Sequence, residues 1–200
     1  MKEYPAEFWN ERYGNHEYIY GIQPNAFFKE QIDKLKPGSI LLPAEGEGRN
    51  AVYAALNGWK VTAFDISKNA REKALQLAKT NNVFIDFKVK DVLDFNIGEQ
   101  FDVIGLSYAH FPAEIRKQAY QHLINLLRPK GKIILEAFAK SQLGNPSGGP
   151  KNVDMLFSLA EIEEEFSELK FEVLEQKSIE LEEGENHKGK AEVIRFVGIK

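Results

Sequence analysis

The sequence predicts a doubly wound α/β domain: a mostly parallel seven-stranded sheet, helices on both faces, and an antiparallel hairpin at its C-terminal end. Three observations carry this expectation. Apolar runs of buried-strand length recur near residues 40–43, 61–65, 84–89, 101–106 and 132–138, with helical patterns between several of them. Two further runs, Phe171-Glu-Val-Leu174 and Val193-Ile-Arg-Phe-Val-Gly-Ile199, have no helix between them. Strands joined without a crossover must pair antiparallel. Finally, no repeat, low-complexity tract or linker divides the 200 residues, and a hydrophobic share of 43% fills one core but would stretch thin over two.

The elements follow in order, with residues 1–36 read as a helical cap or lid segment and residues 37–200 as the core of a single domain. Residues 6–14 predict a short helix, and Pro24 starts another that runs to about Lys36, where Pro37-Gly38 stops it. The stretch Ile40-Leu-Leu-Pro-Ala-Glu-Gly-Glu-Gly-Arg-Asn-Ala51 turns a strand through a glycine-rich bend into a helix striped by Ala51, Val52, Ala55 and Leu56. Ala70, Ala74, Leu77 and Ala78 stripe the next helix. Ile115, Ala119, Leu123, Ile124 and Leu127 stripe a third, begun after Pro112 and ended by Arg128-Pro-Lys-Gly131. Ser158 predicts the N-cap of a helix over 159–166, with Glu161 completing a capping box. The final run is apolar at nearly every position, which suits a strand covered on both faces.

Composition narrows the chemistry. A net charge of −4 offers no basic surface for nucleic acid. The absence of cysteine excludes disulfides, thiolate metal sites and a cysteine nucleophile together. Four scattered histidines show no zinc-ligand spacing, so no metal is expected. No serine-nucleophile elbow or lysine-bearing phosphate loop is present. The N-terminus lacks the apolar core of a signal peptide and no run approaches a membrane span. A cytoplasmic protein with no membrane partner is the expectation.

The informative motif is the glycine bend together with Asp65, seventeen residues past Gly48 at the tip of the second strand. Strand, tight turn, helix and a second strand ending in a carboxylate form a nucleoside-binding layout, because such a carboxylate accepts hydrogen bonds from both hydroxyls of a ribose. Gly46-x-Gly48-x-x-Ala51 also satisfies the loose dinucleotide fingerprint, so an NAD(P)-binding oxidoreductase is one reading.

A longer ordered series separates the readings. It comprises Phe8-Trp-Asn-Glu-Arg-Tyr13 with Tyr18-Ile-Tyr-Gly-Ile-Gln-Pro24, then Gly46-Glu-Gly-Arg-Asn-Ala51 and Val61-Thr-Ala-Phe-Asp65. Lys90-Asp-Val92, Phe101-Asp-Val-Ile104 and Leu127-Arg-Pro-Lys-Gly-Lys-Ile-Ile134 continue it. Along nearly its whole length the chain resembles the class I S-adenosylmethionine-dependent methyltransferases, particularly the tellurite-resistance and thiopurine methyltransferase-like group. Gly148-Gly-Pro150 and His187-Lys-Gly189 look like later features of that group. The resemblance implies a Rossmann-like methyltransferase fold and methyl transfer from S-adenosylmethionine to a small acceptor, a thiol or a metalloid. Leu42 stands where relatives often carry an acid, and Ala44 replaces the first glycine. These departures keep a third reading open, a non-catalytic S-adenosylmethionine-binding module.

Carried over residue by residue, the resemblance implies that Ala44, Glu45, Gly46 and Gly48 pass close to the methionine part of the cofactor. Asn50, with Arg49, reaches its amino-acid end. Asp65 holds the ribose, Ile66 lies against the adenine, Asp91 accepts from the adenine amino group and Val92 supplies a backbone donor. Ser107 lines the sulfonium end. Glu45 or Glu47 is expected to take over the electrostatic work that an acid at Leu42 would do toward the cofactor ammonium. Transfer needs mainly an aligned nucleophile and the exclusion of water, with a base added for oxygen or protonated nitrogen acceptors. His110, just past the fourth strand, is the candidate base, since imidazole titrates near neutrality. His187 on the hairpin loop and Tyr20 before the Pro24 helix are the candidate substrate contacts.

Overall fold

The computed structural model describes residues 6–15, 17–184 and 186–200. Two short helices, α1 (Ala6–Arg12) and α2 (Ala26–Ile32), precede the sheet. There follow β1 (Ser39–Pro43), α3 (Arg49–Leu56), β2 (Lys60–Asp65), α4 (Lys68–Thr80), β3 (Asp86–Val89), β4 (Phe101–Ser107), α5 (Ala113–Asn125) and β5 (Leu127–Phe138). After two 3-10 turns come α6 (Leu159–Glu165), β6 (Lys170–Glu182) and β7 (Lys188–Ile199). The seven strands lie in the order β3-β2-β1-β4-β5-β7-β6, parallel except where β7 pairs antiparallel with both β5 and β6. The predicted fold class is borne out.

Helices cover both faces because the central strands are apolar on both. Phe27, Phe28 and Ile32 of α2 pack with Ala51, Val52, Trp59 and Leu77 against one face. Tyr120, Leu123, Phe157, Ile162 and Phe166 pack against the other. All five residues of β1 are buried, as a strand flanked by strands and roofed by helices must be.

Three of the boundary differences from the sequence reading have a clear local reason. The helix expected from Pro24 begins at Ala26, because Asn25 accepts from the Phe28 N–H as its N-cap and Pro24 lies outside. Leu127, expected in a helical stripe, opens β5 and pairs with Phe101 ahead of an irregularity in the ladder. β6 and β7 run to Glu182 and from Lys188, far into the stretch expected to be loop. β6 is the sheet edge, so its polar residues face water while Leu181 and Ile179 turn inward.

Candidate active site

The site lies where the winding reverses. β1 and β4 are neighbours, but their connections leave to opposite faces, opening a crevice at the C-terminal ends of both strands. The bend after β1 forms one wall. Ala44, Gly46 and Gly48 all take left-handed backbone, with φ of 49°, 63° and 89°. A Cβ at Gly48 would stand 2.6 Å from the Ala74 Cβ, so this glycine lets α3 close against α4. At Gly46 it would meet the Tyr13 hydroxyl at 2.9 Å, so this glycine leaves room above the bend. Ala44 bears its left-handed conformation with a Cβ in place, at a cost of about 1 kcal/mol.

Asp65, buried at the tip of β2, reaches back to that bend. One carboxylate oxygen accepts from the Gly46 N–H and the other from the Ser67 N–H, both at 2.9 Å. Burial pushes its pKa up to about 6, against the pull of those N–H groups. The Lys90 N–H donates to the Asp65 carbonyl at 2.9 Å, tying the end of β3 to the end of β2. Asp91 therefore sits beside the same edge, where it accepts from the Leu93 N–H at 3.1 Å. Ile66 is half-buried between Asp65 and Ser67, and the Val92 side chain is buried in the core beside Phe95.

The two loop acids do other work than expected of them. Glu45 accepts from the Ala51 N–H at 2.7 Å, satisfying the first turn of α3 where Gly48 brings no capping side chain. Burial pushes its carboxyl up to about 7. Glu47 accepts from the Ile19 N–H at 2.9 Å and pairs with Lys73 at 2.6 Å, fastening the N-terminal segment to α4. Leu42 is fully in the core, so this position serves packing.

The roof is built from N-terminal residues. Asn10 accepts from the Ser67 hydroxyl and the Lys68 N–H, both at 2.9 Å, which docks α1 on the start of α4. Trp9 stacks on Tyr13 with ring centroids 5.5 Å apart, and Tyr13 lies over Gly46. Burial, then the Asp65 charge, raises the Tyr13 phenol well above its ordinary pKa. Asn50 accepts from the Asn25 N–H at 2.8 Å, and Arg49 donates to the Tyr20 carbonyl at 3.1 Å. The Tyr20 hydroxyl accepts from Arg12 at 2.9 Å.

At the far wall Ser107 ends β4, half-buried, and Tyr108 follows with a left-handed φ of 53°. His110 has both ring nitrogens committed: Nδ1 stands 2.7 Å from the Met155 carbonyl, and Nε2 is 3.3 Å from the Phe138 N–H. That pairing puts the proton on Nδ1 and fills the Nε2 lone pair. Burial drives the His110 pKa down to about 4. The expected general base is thus held as a structural histidine, with no nitrogen left to take a proton. His187 is buried, its ring packed between Tyr20 at 4.5 Å and Tyr108 at 4.6 Å.

Tyr13, within the segment read as a cap or lid, lies over the bend. Three residues that matter here carried no role in the sequence reading. Glu136, buried in β5, pairs with Arg195 at 2.6 Å and accepts from the Tyr108 hydroxyl at 2.9 Å. Asn25 donates to Glu136 at 2.6 Å and to Glu183 at 3.1 Å. Glu183 pairs with Arg49 at 2.9 Å. An acid interrupting the apolar run Lys132-Ile-Ile-Leu-Glu-Ala-Phe138 is a legible signal for Glu136. Glu183 had none, lying in the acid-rich Glu180-Leu-Glu-Glu-Gly-Glu185.

Among the described residues no cluster of acids or histidines could hold a metal, and no helix is long and apolar enough to cross a membrane. Residues 40–131, from β1 to the middle of β5, match the family model described as a methyltransferase domain. Over those residues the chain is similar to a methyltransferase domain. With the antiparallel β5-β7-β6 ending, that match decides against the oxidoreductase reading and bears out the resemblance read from the motifs. Among curated proteins no sequence matches.

Solved structures with the same fold include TehB from Haemophilus influenzae, at 16% identity and a TM-score of 0.74, covering 98% of this chain and 66% of that one. This chain thus spans just under two thirds of TehB. The chain is also similar in fold to a structure described under the conversion of a disulfide bond into a thioacetal group during echinomycin biosynthesis. That likeness has 19% identity, a TM-score of 0.79 and coverage of 98% and 92%. The N-methyltransferase NodS from Bradyrhizobium japonicum WM9, in complex with S-adenosyl-L-homocysteine, gives 14% identity, a TM-score of 0.71 and 99% coverage of both chains.

Proposed function

We propose that the chain transfers the methyl group of S-adenosylmethionine to a small-molecule acceptor, of which thiols and metalloids are the first classes to try. One observation carries the reading: Asp65 reaches back to the Gly46 N–H, so the ribose acid and the cofactor bend form a single cradle at the reversal of the sheet. The residues suit the cofactor. Asp65 spends two of its roughly four acceptor positions on backbone N–H groups, leaving the others for the two hydroxyls of a ribose. Asp91 on the adjoining strand end suits the adenine amino group, with Ile66 against the ring. Ser107 and the backbone of residues 44–48 flank the sulfonium and methionine.

When bound, the cofactor supplies a methyl group already activated on a sulfonium. The chain's own task is to align the acceptor and keep water out. α1 and the Tyr18–Gly21 turn act as a lid: Tyr13 stands over Gly46 and swings aside for the cofactor to enter. His187 and Tyr20 face the acceptor, and His110 stiffens the wall behind them. The fold likeness to a protein of sulfur chemistry and to an N-methyltransferase supports a small acceptor.

Calorimetry with S-adenosylhomocysteine tests this directly. Micromolar binding to wild type, lost in Asp65→Ala and not seen with NAD, is the expected result. Binding of NAD in preference to S-adenosylhomocysteine would overturn it.

A further inference from the structure

On the methyl-transfer reading above, we infer that His187 and Glu183 form a base dyad, and that the acceptor therefore carries its own proton: a thiol, hydroxyl or amine in place of a metalloid oxyanion. His187 Nδ1 lies 3.4 Å from a Glu183 oxygen that also accepts from Arg49 at 2.9 Å. The other Glu183 oxygen accepts from Asn25 at 3.1 Å. A carboxylate so supplied with donors stays ionised and can only accept; burial pushes the Glu183 pKa up, but His187 and Arg49 hold it below its ordinary value. It therefore fixes the imidazole proton on Nδ1 and leaves Nε2 with a bare lone pair, and no described residue bonds that nitrogen. His110 is the internal contrast, since backbone takes both of its nitrogens.

The His187 ring is buried, and the residue against its Nε2 edge has no side chain. That edge faces Gly148, where a Cβ would stand 3.3 Å from Nε2 and 2.8 Å from the adjacent ring carbon. Any side chain there would occupy the space a reacting atom needs. Tyr20, Tyr108 and Phe138 wall the ring at 4.5, 4.6 and 5.2 Å, and this aromatic box adjoins Ser107 at the end of β4. Tyr108 keeps its ring there through a left-handed backbone that a non-glycine residue adopts only under support, which its hydroxyl receives from Glu136. A metalloid oxyanion attacks through a lone pair on the metalloid, an atom that bears no proton, so a positioned base would be idle. In the step inferred, the acceptor proton passes to Nε2 as its lone pair forms the bond to the methyl carbon. The C–S pair stays on sulfur, turning sulfonium into thioether, and the imidazolium returns the proton to water. Glu183 acts through His187 and is a positioning residue.

The experiment has two readouts. Methyl transfer to a thiol, a phenol, a primary amine and tellurite is followed across pH in wild type, His187→Asn, Glu183→Gln and Glu183→Asp. The ring of His187 is followed by nitrogen NMR in the ligand-free protein. Turnover of protic acceptors is expected, with kcat falling about a hundredfold in His187→Asn and roughly tenfold in Glu183→Gln while KM barely moves. Glu183→Asp should restore part of the loss. The acid limb of the wild-type profile belongs to His187. The groups facing it are Glu183 on its own loop, Arg49 of α3, Arg12 of α1, His110, and the phenols of Tyr20 and Tyr108 with Glu136 behind. NMR should show the proton on Nδ1 in wild type and a mixture of tautomers in Glu183→Gln. Turnover confined to tellurite, or an unchanged kcat in His187→Asn, overturns the inference. If nothing in the panel turns over, a wild-type ring protonated on Nε2 overturns it and one protonated on Nδ1 supports it. Failure of wild type to bind S-adenosylhomocysteine would instead strike the methyl-transfer reading itself.

Discussion

Asp65 and Glu45 are both buried carboxylates beside one glycine bend, yet their environments give them different work. Asp65 faces the bend from the next strand with acceptor capacity to spare, whereas Glu45 is spent on the first turn of α3. Replacing Asp65 by Asn should weaken S-adenosylhomocysteine by about 1.5–3 kcal/mol, the range for hydrogen bonds to a charged group, as calorimetry would show. Glu45→Gln should barely change that affinity but should alter the pH dependence of stability. The folded-state pKa of Glu45, about 7, lies above its ordinary value of 4.5. Its contribution is therefore complete below pH 4.5 and disappears as pH climbs through about 7. A neutral glutamine keeps the bond to Ala51 without that loss, so the Tm of the variant should gain on wild type between those pH values. Parallel Tm curves would remove the charge from Glu45. The same residues mark how far the sequence could be read: the acid at the tip of β2 was legible from spacing, but which loop acid would be captured by a helix end was not, because that depends on the direction of a side chain in the bend between β1 and α3.

At the scale of elements, α3 against α4 and α1 against α4 decide whether the site is made and whether it opens. Gly48 joins a left-handed φ of 89° to a contact with Ala74 that leaves no space for a Cβ. Gly48→Ala should lower the unfolding free energy by about 1–3 kcal/mol, seen as a fall in the urea midpoint. An unchanged midpoint would mean that α3 and α4 shift apart freely. Asn10 is the hook that holds α1 over the site. Asn10→Ala should loosen the roof and raise the association rate of S-adenosylhomocysteine severalfold in stopped flow, leaving the sheet intact; an unaltered rate would show that α1 does not gate entry. Periodicity located these helices well. It missed the ends that side-chain caps set, as at Asn25, and it ran Leu127 into a helix because a buried leucine suits either element. β6 was read as short because an edge strand alternates with polar residues and resembles loop.

In the whole molecule, residues far apart in the chain meet at one hub. Glu183 of the β6–β7 loop joins Asn25 before α2, Arg49 of α3 and His187. Arg195 of β7 and Tyr108 beyond β4 meet Glu136 beside it. The sequence by itself determined the class of the fold, the strand that carries Asp65 and the antiparallel ending, while its resemblance to a family implied the cofactor. These are written in local patterns, where apolar period, glycine position and strand spacing act over a few residues. Only the tertiary structure decided that His110 is bound up by backbone, that Glu45 and Glu47 serve helix and roof, and that Glu183 stands behind His187. Around them, partners such as Asn25 with Asn50 and Asn25 with Glu183, 25 and 158 residues apart, were brought together by the docking of the N-terminal segment on the sheet. A side chain's protonation and its free lone pairs depend on those partners, and no pattern local to the chain encodes them.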